Sequence, residues 1–296
     1  MPRILFIGDV VGKPGRKILR EVLPVWKEKY QPDAVIVNVE NIAHGKGVTP
    51  SIMAEVEALG IDAYTSGNHV FDKLNLAKTC FEQYPKLVRP ANYQSIGEEK
   101  SPVPGYGYYR FAKELAPSSG LRPPSPLGEK EKMNSAMQQY LIINLNGQVF
   151  MENQFSGEIG NPFLELDKLL TEQKQNGDII IVDLHAEATS EKIAMGYYAD
   201  GRVTAVLGTH THVPTADARV LPKGTAHISD VGMTGALNGV LGVKKENALT
   251  KFLDPSQKFK NELEEDGPLQ INGVLIETSG KGQATRIEKL YQEIFT

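Results

Sequence analysis

The sequence predicts an α/β fold in which buried strands alternate with helices. Short apolar runs rich in Val and Ile alternate with stretches whose apolar residues recur at helical spacing, the pattern of βαβ crossover units. Polar residues that can bind metal ions follow several of these runs, where an α/β sheet places its sites. The 296-residue chain is long enough to bury a large core, and we expect residues 1–296 to form a single domain.

The first third of the chain is predicted to alternate three strands with three helices. An apolar stripe over Arg16–Tyr30 predicts a helix, which Pro24 should kink. The next helix has a capping residue at Thr49 and a suitable first-turn residue at Pro50. A third helix surrounds Cys80, whose thiol we expect to be buried. The three strands are Ile4–Val10, Ala34–Asn38 and Ala63–Thr65.

The remainder of the chain is predicted to be richer in strands. Asn161 and Pro162 repeat the signal for the start of a helix. A turn at 147–148 should direct the chain back toward 149–150. Residues 114–135 contain four prolines and few apolar side chains, so we expect a mobile surface insertion and consider a functional lid the less favoured alternative. The strands are Tyr108–Phe111, Tyr140–Asn144, Ile179–Leu184, Ala205–Leu207, Ala218–Leu221, Ala226–Ser229, Ile271–Glu277 and Ala284–Glu288.

Composition excludes several classes of partner. A net charge of -4 argues against electrostatic binding to bulk nucleic acid or anionic membranes, although a small anionic substrate can still bind at a local cationic site. No apolar run approaches the length of a membrane span, and the amino-terminal run is too short for a signal peptide. With a single cysteine, no intrachain disulfide can form. We therefore expect a soluble cytoplasmic protein.

Residues that can bind metal ions lie in five short stretches, each near the end of a predicted strand. Singly, each has a common structural explanation, such as capping or loop polarity. Together they predict one cluster, because the carboxyl ends of parallel strands meet at one edge of a sheet. Carboxylates with imidazoles suit Mn, Fe or Zn, and the ligand count suits two ions better than one. The residues are Asp9, Glu40, Asn41, Asn68, His185, His210 and His212.

Three further features concern the shape of this predicted site. Glu40 is the candidate bridge, since a carboxylate has two oxygens and can contact two cations. His210 and His212 are one residue apart, so in extended backbone their side chains would point the same way. Lys13 and Arg16 lie in a glycine-containing turn at a predicted helix start, which could bind an anion, although the spacing is not that of a P-loop.

Six longer strings together resemble the YmdB family of calcineurin-type metallophosphoesterases. The resemblance covers nearly the whole chain apart from the 114–135 stretch. In combination these motifs are highly specific. The strings are G-D-V-V-G-K-P-G-R, E-N-I-A-H-G-K-G-V-T-P, G-N-H-V-F-D-K, R-P-A-N-Y, L-G-T-H-T-H-V-P-T-A-D and S-D-V-G-M-T-G.

The resemblance implies a four-layer α/β/β/α sandwich with two divalent or mixed-valence metal ions, Fe or Mn being favoured and Zn an alternative. The broader superfamily has an Asp-x-His pair at its first motif, whereas Val10 and Val11 follow Asp9 here. Asn41 would replace the missing imidazole. By matching motifs, one ion would be held by Asp9, Glu40, Asn41 and His212, and the other by Glu40, Asn68, His185 and His210.

The resemblance also implies an activity. His69 matches the catalytic histidine of the family and would protonate the leaving oxygen, with Asp72 orienting it; a structural turn histidine is the alternative. The implied reaction is hydrolysis of phosphodiesters by a metal-bridging hydroxide, with 2′,3′-cyclic nucleotides as substrates. Two alternatives remain open: a phosphomonoesterase acting on nucleotides or sugar phosphates, and a nucleotide- or RNA-binding regulator whose hydrolysis is incidental. A homo-oligomer is also left open.

Five other residues receive less weight. His44 is interpreted as a loop histidine, and we expect His227 to be packed or exposed in a strand rather than to bind a metal. Arg89 could face the substrate or form a structural ion pair. Asp183 and Glu187 flank His185 in sequence, and either could orient its ring.

Overall fold

The computed structural model describes residues 1–97, 99–115, 137–151, 154–155, 157–254, 256, 262–279 and 281–295. The strands are β1 (Arg3–Ile7), β2 (Ala34–Asn38), β3 (Ala63–Thr65), β4 (Tyr93–Ile96), β5 (Tyr108–Glu114), β6 (Met137–Asn146), β7 (Gly157–Ile159), β8 (Ile179–His185), β9 (Ala205–Thr209), β10 (Arg219–Val220), β11 (Ala226–Ile228), β12 (Gly235–Ala236), β13 (Leu269–Thr278) and β14 (Ala284–Ile294). The helices are α1 (Gly12–Tyr30), α2 (Pro50–Glu57), α3 (Leu74–Gln83), α4 (Pro162–Gln173), α5 (Thr189–Tyr198), α6 (Lys245–Leu253) and a short 3-10 helix, Asn68–Phe71.

The strands form two six-stranded sheets and one small two-stranded sheet. The first sheet has the order β12-β13-β1-β2-β3, with β14 paired to β13, and its β1, β2 and β3 are parallel. The second sheet has the order β10-β11-β9-β8-β6-β5, and its β6, β8, β9 and β11 are parallel. Strands β4 and β7 form the small antiparallel sheet. Each large sheet therefore contains a parallel core with antiparallel strands at an edge.

The two large sheets pack face to face, and helices cover their outer faces. Along β1, Ile4 and Phe6 belong to the apolar cluster between the sheets, whereas Leu5 and Ile7 pack with the residues of α1. This alternation follows from the two-residue period of a strand, and burial on both faces explains the continuous apolar runs in the sequence. Helices α4 and α5 contribute to a third cluster on the outer face of the second sheet. The architecture is the expected α/β/β/α sandwich.

Capping residues in the sequence correctly predicted where α2 and α4 begin. The Thr49 hydroxyl accepts a hydrogen bond from the Ile52 amide before α2, and the Asn161 side chain caps α4 by accepting from two amides. Cys80 is buried in α3, and burial raises the pKa of its thiol to about 12. Helix α1 begins at Gly12, four residues before the predicted start, and it contains Pro24.

The structure differs from the sequence predictions at one strand end, at one turn and at the start of the predicted insertion. Strand β1 ends at Ile7 rather than Val10. At Gly8 the chain passes so close to the Gly232 carbonyl that a Cβ would lie 1.8 Å from that oxygen. Among the described residues, 149–150 do not pair back onto β6, contrary to the prediction: β6 pairs parallel with β8, and the amides at 148 and 149 donate to the Glu191 carboxylate. Glu114 is the last residue of β5, and residues 116–135 of the predicted insertion lie outside the described ranges.

Some elements were not anticipated from sequence. They are β4, β7, β12, α5, α6 and the 3-10 helix. Among the described residues, no helix combines the length and apolar character needed to cross a bilayer.

Candidate metal centre

The predicted ligands follow strands of both sheets. In the first sheet, Asp9 and Glu40 each lie two residues beyond the strand that precedes them, β1 and β2, and Asn68 follows β3. In the second sheet, His185 is the last residue of β8 and His210 directly follows β9. Because all five strands are parallel within their sheets, their carboxyl ends bring these side chains to one end of the sandwich.

Three possible ligand atoms lie close to a fourth, Nε2 of His185. Its Nε2 lies 2.9 Å from Asn68 Oδ1, 3.0 Å from Glu40 Oε2 and 3.0 Å from His210 Nδ1. Ligand atoms that share one ion at bond lengths of about 2.0–2.2 Å have separations of this size. A Cβ on Gly67 would lie 2.3 Å from both Glu40 Oε2 and His185 Nε2, so only glycine leaves this space free.

A second group surrounds the other oxygen of Glu40. One ligand atom each from Asp9, Glu40 and His212 lie within 4.8 Å of one another. The Asn41 Nδ2 is 2.6 Å from Glu40 Oε1 and 3.2 Å from His212 Nε2. Rotation of the amide exchanges its nitrogen and oxygen, so Asn41 can offer an oxygen at the same place. Asp9 Oδ1 is buried without a hydrogen-bond partner, which is costly unless a cation satisfies it.

The donor chemistry fits two transition-metal ions. Carboxylates, amide oxygens and imidazoles suit Mn, Fe or Zn rather than Mg or Ca. Glu40 Oε1 lies beside the Asn41 amide and Oε2 beside His185 Nε2, so one carboxylate could be shared between the two groups. Asp9, Glu40 and His212 form one group and Glu40, His185 and His210 the other, and Asn41 and Asn68 lie beside the first and the second group respectively.

Burial and mutual contact shift the protonation of these groups. Burial opposes a charge on His185, but the carboxylates of Glu40 and Asp9 prevail and raise its pKa to about 9. Burial likewise opposes ionisation of Glu40, yet the neighbouring His185 holds the Glu40 pKa below its usual range. Burial, reinforced by His185, lowers the pKa of His210 to about 2. The directions of these pKa shifts favour a proton on His185 and a negative charge on Glu40 when no metal is bound.

A chain of buried hydrogen bonds orients His185. The Thr209 hydroxyl donates to Asp183 Oδ1 at 2.7 Å, so it accepts from His185 Nδ1 at 2.9 Å and leaves Nε2 for a ligand role. Asn38 donates to Asp183 Oδ2 and accepts from the Glu40 amide. Asp183 thus acts on His185 through Thr209, a residue that sequence reasoning missed although it lies in the G-T-H-T-H string.

The segment that carries His210 and His212 is not extended, contrary to the prediction. Their φ values are 97° and 65°, in the left-handed region that costs a non-glycine residue roughly 1–3 kcal/mol. Between them, Thr211 donates its amide and hydroxyl to Asp230 Oδ2, at 3.0 and 2.7 Å. The buried Lys192 ammonium donates to the same oxygen at 2.8 Å. Asp230 therefore holds the segment in its strained conformation.

Glu187 and His69 border the two ligand groups. Glu187 Oε2 lies 3.0 Å from His210 Nε2, so it orients His210 rather than His185. The His69 amide donates to Glu40 Oε2 at 3.3 Å, which places this residue beside the cluster. Its Nδ1 is 3.1 Å from Asp72 Oδ2, and about a quarter of its side chain is exposed.

The predicted anion-binding turn has a structural role instead. Arg16 donates to the Glu55 carboxylate and to the Ile42 carbonyl. The Gly12 amide at the start of α1 donates to the Asn41 carbonyl at 2.9 Å, which fixes the backbone of that ligand. Lys13 is exposed.

The remaining candidates lie outside the two ligand groups. Arg89 donates to the carbonyls at 90 and 91 and lines a cavity of about 700 Å³. Within the described part of the chain it has no ion pair and no hydrogen bond to the ligand groups, so neither alternative is seen there. His227 is buried in β11, as a packed histidine, and burial lowers its pKa. His44 is an exposed loop residue.

Comparison with known proteins identifies the family of this chain. The model of the family described as YmdB-like protein matches residues 5–118 and 123–290. The chain belongs to the YmdB-like family. A Bacillus subtilis (strain 168) member, 2′,3′-cyclic-nucleotide 2′-phosphodiesterase, is 41% identical over 295 residues, covering 97% of this chain and 96% of that protein. The family that the sequence motifs indicate is confirmed.

Solved structures confirm the fold of this YmdB-like chain. A crystal structure titled as a novel phosphatase from Mycoplasma pneumoniae has a TM-score of 0.82 at 31% identity, covering 99% of this chain and 93% of that one. A calcineurin-like phosphoesterase from Bacillus subtilis has a TM-score of 0.57 at 12% identity, covering 98% and 90%. The second likeness concerns the fold alone, and it places this YmdB-like chain among calcineurin-like folds.

The buried pair Lys192–Asp230 yields a stability prediction. Asp230→Ala should lower the free energy of unfolding by about 3–5 kcal/mol, because it leaves a buried ammonium without a counterion. Adding Lys192→Met should recover part of this loss, since no unpaired charge then remains. Urea denaturation of both variants measures these changes. The control is Asp167→Ala, which breaks an exposed pair with Arg202 and should cost about 0–1 kcal/mol. An equal effect at the two sites would contradict the proposed role of Asp230.

The raised pKa of His185 predicts that metal uptake releases a proton. With a folded-state pKa of about 9, the ring is protonated at neutral pH, and it must lose that proton before Nε2 can bind an ion. The apparent affinity for Mn²⁺ should therefore rise as the pH increases toward about 9 and level off above it. Calorimetry in buffers of different ionisation enthalpy counts the released protons. Uptake at neutral pH without proton release would refute this assignment.

Proposed function

We propose that this chain is a metal-dependent phosphodiesterase with a dinuclear centre. The observation that carries the proposal is the arrangement around Glu40, whose two oxygens serve two separate ligand groups within hydrogen-bonding distances of imidazoles and amides. A pair of ions held by these residues would bind phosphate oxygens and would lower the pKa of a water molecule. Iron or manganese is the proposed metal, with zinc as an alternative that the same donors accept.

The ligand assignment follows the two groups. One site takes its imidazole from His212, which has an amide neighbour in Asn41, and the other takes imidazoles from His185 and His210. Each site combines oxygen donors with nitrogen donors, which supports Mn, Fe or Zn over a purely oxygen-bound ion. The proposed ligands of the first site are Asp9, Glu40, Asn41 and His212, and those of the second are Glu40, Asn68, His185 and His210.

His69 is the proposed general acid. It belongs to neither ligand group, yet its amide donates to Glu40 Oε2, so the residue lies beside the place where a phosphoester would bind. Asp72 accepts from Nδ1 and orients the ring, which leaves Nε2 as the nitrogen that can donate a proton to a leaving oxygen. A histidine suits this task because its ordinary pKa is close to neutral.

The proposed substrates are 2′,3′-cyclic nucleotides. The support is the name of the Bacillus subtilis relative, 2′,3′-cyclic-nucleotide 2′-phosphodiesterase, which shares 41% of its residues with this chain. Hydrolysis would open the cyclic phosphate by breaking one bond between phosphorus and a ribose oxygen, and His69 would protonate that oxygen. The product would be a nucleoside monophosphate.

A phosphomonoesterase is the second candidate, because the Mycoplasma pneumoniae relative is titled a phosphatase and the same donor set can hold a monoester. The two activities are separated by measuring turnover of 2′,3′-cyclic AMP and of 3′-AMP by the manganese-loaded protein. We expect the cyclic nucleotide to be hydrolysed and 3′-AMP to accumulate or to be consumed more slowly. Turnover of the monoester alone would overturn the phosphodiesterase proposal.

Replacing His69 tests its role. His69→Ala should lower kcat for 2′,3′-cyclic AMP by about 10²–10⁴-fold, the usual contribution of a general acid, while the protein still binds two metal ions. Metal content is measured on the purified variant by mass spectrometry, so that loss of turnover is not confused with loss of metal. His44→Ala, at an exposed loop histidine, is the matched control and should retain activity. Unchanged kcat in His69→Ala would remove this residue from the mechanism.

A further inference from the structure

A tight turn beside the metal centre has an unfavourable residue at the first of its two central positions. The Val240 amide donates to the Val243 carbonyl at 2.7 Å, and the Val243 amide donates back to the Val240 carbonyl at 3.0 Å. The two central residues, Leu241 and Gly242, have φ values of 52° and 89°. Positive φ at both positions defines a type I′ turn, which favours Asn, Asp or Gly at its first central position. Leucine is disfavoured there because its side chain crowds a left-handed backbone.

The turn lies one imidazole ring away from the ligand atoms. The Leu241 carbonyl accepts a hydrogen bond from His212 Nδ1 at 3.2 Å, and Nε2 of the same ring is 3.2 Å from Asn41 Nδ2. This contact uses only the backbone of Leu241, and any residue at the position would supply the same carbonyl. The hydrogen bond therefore explains the location of the turn but not its leucine side chain.

Packing does not explain the leucine either. Half of Leu241 is exposed, as is 40% of Val240, and Val213, which directly follows His212, is 59% exposed. Exposed apolar side chains beside a charged cluster contribute little to the core of the free protein. A residue that breaks a local rule without a gain in packing indicates a functional constraint.

We propose that Leu241, together with Val213, receives the nucleobase of the substrate. This inference rests on the proposed function, because a nucleotide whose phosphate binds at the ligand groups must place its base beyond the ribose, next to the rim of the centre. The base offers flat apolar faces, which match aliphatic side chains. A protein partner is a poorer match, since a stable interface buries about 800 Å² on each side and this patch comprises one turn and one neighbouring residue.

The substitution Leu241→Asn removes the leucine side chain and keeps the backbone carbonyl, so it tests the contribution of the side chain by itself. Asparagine suits the first central position of a type I′ turn and retains the carbonyl that binds His212, so stability to urea and metal content should be equal or higher. The KM for 2′,3′-cyclic AMP should rise about 10-fold or more, as expected when apolar groups are removed from a binding contact. The KM for methyl ribofuranoside 2′,3′-cyclic phosphate, which has no base, should not change.

The matched control is Leu164→Asn, at a leucine of α4 that is 66% exposed and outside the two ligand groups, and both KM values should remain at the wild-type level. Equal changes of KM for the two substrates in Leu241→Asn, or no change for either, would overturn the base contact. A change in oligomeric state on ultracentrifugation would overturn it too, since the leucine would then face a second copy.

If the wild-type protein hydrolyses neither cyclic phosphate, the proposed function fails. In that case, calorimetry with 3′-AMP and with ribose 3-phosphate tests the base contact separately. The base contact is supported only if Leu241→Asn weakens the binding of 3′-AMP and leaves the binding of ribose 3-phosphate unchanged.

Discussion

The buried carboxylate of Glu40 is the group on which the rest of the site depends. Its two oxygens meet Asn41 on one side and His185 on the other, and the His69 amide donates to it as well. A carboxylate with 1% exposure remains ionised only if nearby cations and donors compensate for lost hydration. In the metal-free protein, His185 supplies that positive charge. Since Glu40 follows a strand of the first sheet and His185 ends a strand of the second, this ion pair also joins the two sheets.

The space between the sheets changes character toward this end of the sandwich. Aliphatic side chains fill most of it, but a layer of buried polar residues separates them from the ligands. Asn144 accepts from the Ser66 amide and donates to the Asp183 carbonyl, and Asp183 itself binds Asn38 and Thr209. Because the groups in such a network satisfy one another, it specifies one relative position of the strands, which apolar contacts alone do not. These buried polar residues therefore fix the relative positions of the strands that carry the ligands.

Sequence reasoning predicted which candidate ligands lie together, because their placement depends on a local pattern. An apolar run followed by a carboxylate or imidazole can be recognised without any tertiary information, and parallel strands then bring Glu40 and His185 together. It failed where distant contacts prevail. The left-handed backbone of His210 and His212 is imposed by Asp230, which is 19 residues from Thr211 in sequence. A turn signal after β6 was likewise outweighed by parallel pairing with β8, which buries both strands.

The two sheets contribute different ligand chemistry, and neither offers a complete set. The chain beyond the strands of the first sheet supplies carboxylate and amide groups, whereas the end of β8 and the segment after β9 in the second sheet supply the three imidazoles. Each proposed ion thus takes donors from both sheets, and its binding free energy is available only when the sheets are packed together. A metal that binds the folded chain and not the unfolded chain stabilises the fold by mass action. Bound metal would therefore strengthen the packing of one sheet on the other, and any loosening of that packing would weaken both sites at once, because Glu40 belongs to both.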